Sequence, residues 1–211
     1  IFQDLPALTN ISGLSNNITS TGIVVIDSTA LTSLAGLSGI LTINGDFHLG
    51  HSPIANLNSI ANLSVIDGSF YMDDLPSFTS VGLNNLTQAN NILFINVPQL
   101  SSIAGLTNHL GSNRHLDNLW IISTALTNLS GLDSLTDVNT IFIWSNPSLT
   151  SLHGIEQITG NIQYGFSIYD NIALIDINAL SHVTSVSEGT VLISGNVSLP
   201  NLTGLGNITT I

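Results

Sequence analysis

Apolar residues recur at three-residue spacing along this chain, and the recurrence is itself periodic. Triplets stand at Leu31-Leu34-Leu37, Ile54-Leu57-Ile60, Leu100-Ile103-Leu106, Leu126-Leu129-Leu132, Leu149-Leu152-Ile155, Leu174-Ile177-Leu180 and Leu199-Leu202-Leu205. Leu8-Ile11-Leu14 opens the series, and Phe78-Val81 is an irregular member. Successive triplets begin 22 to 26 residues apart. Each after the first follows a short run of alternating apolar residues, at 23–27, 46–50, 69–73, 91–96, 118–123, 140–145, 166–170 and 190–194. These runs are rich in Ile, Val, Phe, Tyr and Trp and end in Gly, Asn, Asp or Ser, which predicts a strand closed by a turn. The triplets enclose Thr-Ser, Asn-Ser, Ala-Gly and Ser-Gly pairs, poor helix formers without an i+4 partner. They are therefore expected as short extended or turn segments with brief 3₁₀ pieces.

A unit of two dozen residues cannot bury its apolar face alone, whereas stacked units bury a continuous core. The pattern thus predicts an all-β fold, a right-handed parallel β-solenoid of about nine leucine-rich-type coils, forming one domain over residues 1–211. At ~4.8 Å per strand the coils make a rod roughly 40 Å long. Leu34, Leu57, Ile103, Leu129, Leu152, Ile177 and Leu202 are expected to form one buried column. Gly36, Gly105, Gly131, Gly154 and Gly204 recur just before the third apolar residue, which predicts a positive φ or a close backbone approach there.

The segments Leu-Thr-Ser-Leu-Ala-Gly-Leu (31–37), Leu-Thr-Asn-Leu-Ser-Gly-Leu (126–132) and Asn-Pro-Ser-Leu-Thr-Ser-Leu-His-Gly-Ile (146–155) resemble the receptor L-domain type of leucine-rich repeat. Such repeats occur in growth-factor receptor ectodomains, fungal cell-wall proteins and arrays on bacterial surface proteins. The bacterial arrays are the most similar, being free of cysteine and built on this heptapeptide. The resemblance implies a solenoid and a surface location. It does not imply one activity, because these repeats serve unrelated binding and structural roles.

Charge narrows the function classes. Thirteen acidic residues face a single basic one, Arg114, for a net charge of −12, and only 7% of residues are charged. Binding to nucleic acid needs Lys and Arg to displace counterions and is excluded. Anionic membrane surfaces are disfavoured for the same reason. No run reaches the ~18 apolar residues of a spanning helix, so no membrane insertion is expected. Ser, Thr and Asn supply the polar surface, a composition easier to place outside the cell. Cysteine is absent, which a continuous solenoid core tolerates. The start at Ile1 is read as that of a processed chain or of an ordered part of a longer one.

Candidate chemistry is sparse. His48 and His51 lie near Asp46, but no other His or Cys falls in register with them, so neither a metal nor a cofactor is expected. His109, Arg114 and His115 fall in the longest interval and suggest a protruding loop. Asp27, Asp73 and Asp170 end strands of non-neighbouring coils and Asp74 adjoins Asp73, whereas a glycosidase aims two carboxylates at one bond from about 5–9.5 Å apart. They are read as turn-forming residues, and the chain as no enzyme. Asn10, Asn17, Asn62, Asn85, Asn128, Asn196, Asn201 and Asn207 begin glycosylation sequons. Alternation sends one of Phe70 and Tyr71 outward, and it makes Trp120, Phe142 and Trp144 a candidate exposed binding patch. The ends carry apolar residues without a polar cap: Phe2, Leu5 and Leu8 at one, Leu205, Ile208 and Ile211 at the other. They are expected to meet like subunits or flanking domains. The favoured function is an extracellular scaffold or adhesion module, in one form a filament subunit. The alternative is a receptor-type domain binding a peptide or glycan on one sheet. An ice-binding role ranks lower, because the Thr32-Ser33, Thr79-Ser80, Thr127-Asn128 and Thr150-Ser151 ladder is broken at Ala55-Asn56, Ile175-Asp176 and Pro200-Asn201.

Overall fold

The computed structural model describes residues 1–14, 17–106 and 115–211. Nine strands pair in parallel, in chain order, into one sheet: Phe2–Leu5, Val24–Thr29, Phe47–Gly50, Ser69–Asp73, Asn91–Val97, His115–Thr124, Asp137–Trp144, Gly165–Tyr169 and Thr190–Ser194. Each strand pairs with the next, so the chain closes a turn between every two of them, about eight turns of a parallel β-solenoid. The alternating runs all fall on these strands. Phe2–Leu5 is an additional strand that the repeat pattern left unassigned, paired with Val24–Thr29. Short parallel pairings elsewhere in the coils form a second and a third small sheet. The triplets carry 3₁₀ turns at Ala35–Leu37, Asn58–Ile60, Ala104–Leu106, Asn178–Leu180 and Thr203–Leu205.

Inward-facing residues fill the coils without a break from Ile11 to Val186. Leu34, Leu57, Ile103, Leu129, Leu152 and Ile177 are buried in one column, and the stacked rings of Phe47 and Phe70 form part of another. Leu202 departs from the expectation and is 52% exposed. A column residue is covered by the coils before and after it, and among the described residues Leu202 has a coil on one side only. The recurrent glycines mark close approach: a Cβ on Gly36 would stand 1.9 Å from the Ile11 carbonyl oxygen. At Gly131 both causes coincide, with φ at 120° and the Ile103 carbonyl 2.2 Å from a would-be Cβ.

Every coil leaves the sheet through one residue in the left-handed region. These are Asp4, Ser28, His51, Asp74, Asn96, Ser123, Ser145, Asp170 and Gly195, with φ between 44° and 67°. Asn, Asp and His are the side chains enriched there. The residue that follows turns inward, and in the later coils it is Thr124, Asn146, Asn171 and Asn196. Asn146 and Asn171 are fully buried and form a ladder. The Oδ1 atom of Asn171 accepts from the Asn146 backbone N–H at 3.0 Å, and its Nδ2 donates to the carbonyls of Ile143 and Tyr169. Asn196 repeats the arrangement toward Asn171 and Ile168. Carbonyls released where the chain turns are satisfied in this way inside the core, where an unpaired one costs about 1–3 kcal/mol.

Replacing Leu129 by Ala is expected to cost about 2–5 kcal/mol through the cavity it leaves, whereas Leu202→Ala should cost less than about 1 kcal/mol. Denaturant melting of the two variants checks this. Equal losses would mean that the column does not end where the structure places its end.

Candidate functional site: the outer face of the sheet and its turn edge

Residues that alternate with the core stand on the outer face of the nine-stranded sheet, and the parallel register sets them in ranks. One rank runs Val25, His48, Tyr71, Leu93, Trp120, Phe142, Ser167 and Leu192. The next runs Asp73, Ile95, Ile122, Trp144, Tyr169 and Ser194. Most of these positions are apolar or aromatic on a face that nothing covers among the described residues. Trp120 and Trp144 are 36% and 38% exposed, and Phe142 is half-buried between them. The expected patch of Trp120, Phe142 and Trp144 is therefore outward-facing, and Tyr169 extends it. Trp144 and Tyr169 stack at 5.1 Å between ring centres, and Phe142 meets both edge-on. Of the pair Phe70 and Tyr71, Phe70 is buried and Tyr71 faces out, stacked on His48 at 4.6 Å.

At one end of the second rank lies a cluster of ionisable groups. Asp27 and Asp73 belong to coils two apart, and Gly50 of the coil between them carries no side chain. A Cβ there would stand 2.5 Å from an Asp73 carboxylate oxygen and 2.9 Å from one of Asp27. The expectation that these carboxylates stay separate is thus corrected: glycine removes the intervening side chain, and two imidazoles fill the space. His48 Nε2 lies 2.6 Å from Asp73 Oδ1, and His51 Nδ1 lies 2.8 Å from Asp27 Oδ1. His51 Nε2 lies 3.1 Å from Asp74 Oδ2, and Asn96 Nδ2 donates to the other oxygen of Asp74. His51, Asp73 and Asp74 each bring a ligand-type atom within 4.8 Å of the others. Both nitrogens of His51 face carboxylates, so only the protonated imidazolium, with an N–H on each, can donate to both.

Hydrogen bonding to Asp27, with the Asp73, Asp27 and Asp74 charges, outweighs desolvation and raises the His51 pKa above 6.5. Burial, followed by the Asp73 carboxylate, raises that of Tyr71. The His51 shift favours the protonated fold, so its contribution to stability is full below the ordinary value and is lost as pH rises through the raised one.

The remaining candidates scatter. His115 is not in a loop: it begins the strand His115–Thr124, with Nδ1 2.9 Å from Oδ2 of Asp137, its register partner at the start of the next strand. His109 and Arg114 lie outside the described residues. Six of the eight sequon asparagines, Asn10, Asn17, Asn62, Asn85, Asn201 and Asn207, are exposed, and Asn128 is half-buried. The Asn196 side chain is engaged in the core ladder. Of the end residues, Leu5 and Ile211 are exposed, while Phe2, Leu8, Leu205 and Ile208 pack partly against the core. No helix among the described residues is long and apolar enough to cross a membrane.

The residue types at the turn edge were a signal that the apolar repeat did not capture. A left-handed residue followed two places later by proline recurs at Asp4-Leu5-Pro6, His51-Ser52-Pro53, Asp74-Leu75-Pro76, Asn96-Val97-Pro98 and Ser145-Asn146-Pro147. The fold and these ranks define a parallel β-solenoid with an aromatic-lined open sheet. Compared with known proteins, the chain matches no family model, no curated protein and no solved structure.

Titrating the imidazole signals by NMR should place His51 above 6.5, and Asp27→Asn should move it down. A His51 that titrates at or below 6.5 in the unaltered chain would refute the cluster geometry.

Proposed function

We propose that this chain is a non-enzymatic extracellular adhesion or scaffold module that holds a protein partner on the outer face of its nine-stranded sheet. The observation that carries the reading is the pair of outward ranks of aromatic and aliphatic side chains around Trp120, Phe142, Trp144 and Tyr169. Exposed contiguous apolar surface marks interaction sites, and Trp and Tyr dominate the energetics of such contacts. A protein partner is favoured over a glycan by ring geometry. A sugar packs against an open aromatic face, whereas Trp144 and Tyr169 cover one face of each other and present edges. The near absence of Lys and Arg, the hydroxyl- and amide-rich surface and the resemblance to receptor L-domain repeats support the extracellular placement. Against catalysis stands the occupancy of the converging carboxylates, Asp27 and Asp73, by His51 and His48.

A second reading, a filament or array subunit, draws on the end coils. Leu5 at one end and Leu202 and Ile211 at the other are exposed beside the partly covered Phe2, Leu8, Leu205 and Ile208. The outer strands Phe2–Leu5 and Thr190–Ser194 present backbone groups of the kind that template pairing with another chain. In this reading like subunits or flanking domains cover both ends.

Panning a random-sequence displayed peptide library against the immobilised chain should enrich binders through the sheet face. The Trp120→Ser/Trp144→Ser double variant should lose them by about tenfold or more, with Tm shifted by no more than about 2 °C. Enriched binders indifferent to both substitutions would contradict the reading.

A further inference from the structure

The turn edge of the sheet carries a groove that runs along the rod beside the left-handed column. One section, about 400 Å³, is lined by His51, Asp74, Pro76, Asn96 and Pro98. It shares Pro98 with a second section of about 550 Å³. That section is lined by Ser123, Ser145 and Asp170 of the left-handed column and by a second row, Ala125, Pro147 and Ile172. The second row lies two residues beyond the left-handed positions, and Pro76, Pro98 and Pro147 stiffen it, because proline fixes φ. The left-handed column carries a carboxylate near each end of the groove, Asp74 and Asp170, with the neutral Asn96, Ser123 and Ser145 in the coils between. Trp144 immediately precedes Ser145, so the groove adjoins the aromatic rank of the sheet face.

We propose that this groove takes an extended, basic protein segment lying along the rod axis, with one Lys or Arg side chain on Asp74 and a second on Asp170. The proposal rests on the reading of this side of the solenoid as a protein-binding surface and names the chemistry of the partner. Charge selects the occupant. With thirteen acidic residues and one basic residue in the chain, acidic peptides, phosphates and anionic glycans are repelled, and so is a second copy of the same net charge. Arginine suits the Asp170 end best, because its planar fork meets a carboxylate with two parallel hydrogen bonds; at Asp74, where one oxygen faces His51 and the other accepts from Asn96, a cation shares the carboxylate with them. Spacing is set by the fold. Asp74 and Asp170 are four coils apart, which at strand stacking distance is about 19 Å, or six residues of extended chain. Between the two cations, small apolar side chains suit the apolar row of Ala125, Pro147 and Ile172.

The test uses fluorescently labelled peptides with two arginines separated by five neutral residues, compared with peptides in which two residues separate them and with glutamate replacing both arginines. Binding to the full 211-residue chain is read by anisotropy. Asp74→Asn and Asp170→Asn make the matching variants, because asparagine keeps the left-handed backbone favourable. The five-residue spacing should bind at least tenfold more tightly than the two-residue spacing, and the glutamate peptide should not bind. The double variant should lose that preference while keeping its Tm, and each single variant should lose part of it. Binding that ignores the spacing, or that survives in the double variant, overturns the proposal and leaves only diffuse attraction to an acidic protein. Binders panned from the library separate this outcome from failure of the sheet-face reading. If they need Trp120 and Trp144 but not Asp74 and Asp170, the face binds protein and the groove does not select the segment. If they ignore the tryptophans as well, both fail.

Discussion

The structure depends on one backbone state repeated in every coil, a residue in the left-handed region at the end of each sheet strand. For residues other than glycine that state costs about 1–2 kcal/mol, and eight of the nine positions are not glycine. Stacking over-determines it. The His51 backbone N–H donates to the Asp73 carbonyl and that of Asp74 to Ile95, and the same step recurs from Ser145 to Tyr169 and from Asp170 to Ser194. The turn holds the strands in register, and the register aligns the core columns, the outward ranks and the asparagine ladder. It also decides where polar chemistry lies. Because the left-handed position favours Asp, Asn and His, the constraint that shapes the coil lines one edge of the sheet with hydrogen-bonding and ionisable groups.

Much of this was legible in the sequence, and the remainder was hidden for identifiable reasons. The three-spaced triplets and alternating runs revealed the coils because each coil repeats the same burial pattern. Alternation set Phe142 and Trp144 on one face but left open whether that face was core or surface, because both faces of these strands are apolar; the register resolves it outward. Leu202 was misplaced because periodicity says which way a side chain points and not whether another coil covers it. The meeting of Asp27 and Asp73 was missed because it depends on an absence, the side chain of Gly50, at a position visible only once the register is known. The Asn146-Asn171-Asn196 ladder was hidden for a different reason. Two of its members follow strand ends like any turn asparagine, and Asn196 also reads as a sequon; only the inward turn after the left-handed residue buries them.

Core and surface divide the labour unusually in this chain. Ordinary soluble domains keep an open sheet face polar, and here two ranks of large apolar side chains face outward while hydroxyl and amide groups fill the turns. In the proposed function, a partner that removes this surface from water would offset the cost of exposing it. Acidic groups gathered at its edge would, in the proposed groove, add charge to shape as a means of selecting an extended partner.

The central claim is that the aromatic rank faces solvent, and the chain carries its own reporter, because its only two tryptophans, Trp120 and Trp144, both lie there. Collisional quenching of tryptophan fluorescence by acrylamide, a neutral quencher insensitive to the net charge, reads their accessibility directly. The account predicts solvent-shifted emission from the folded chain, quenched nearly completely along a single slope. Blue-shifted emission protected from acrylamide until the chain is denatured would place the tryptophans in the core and contradict it.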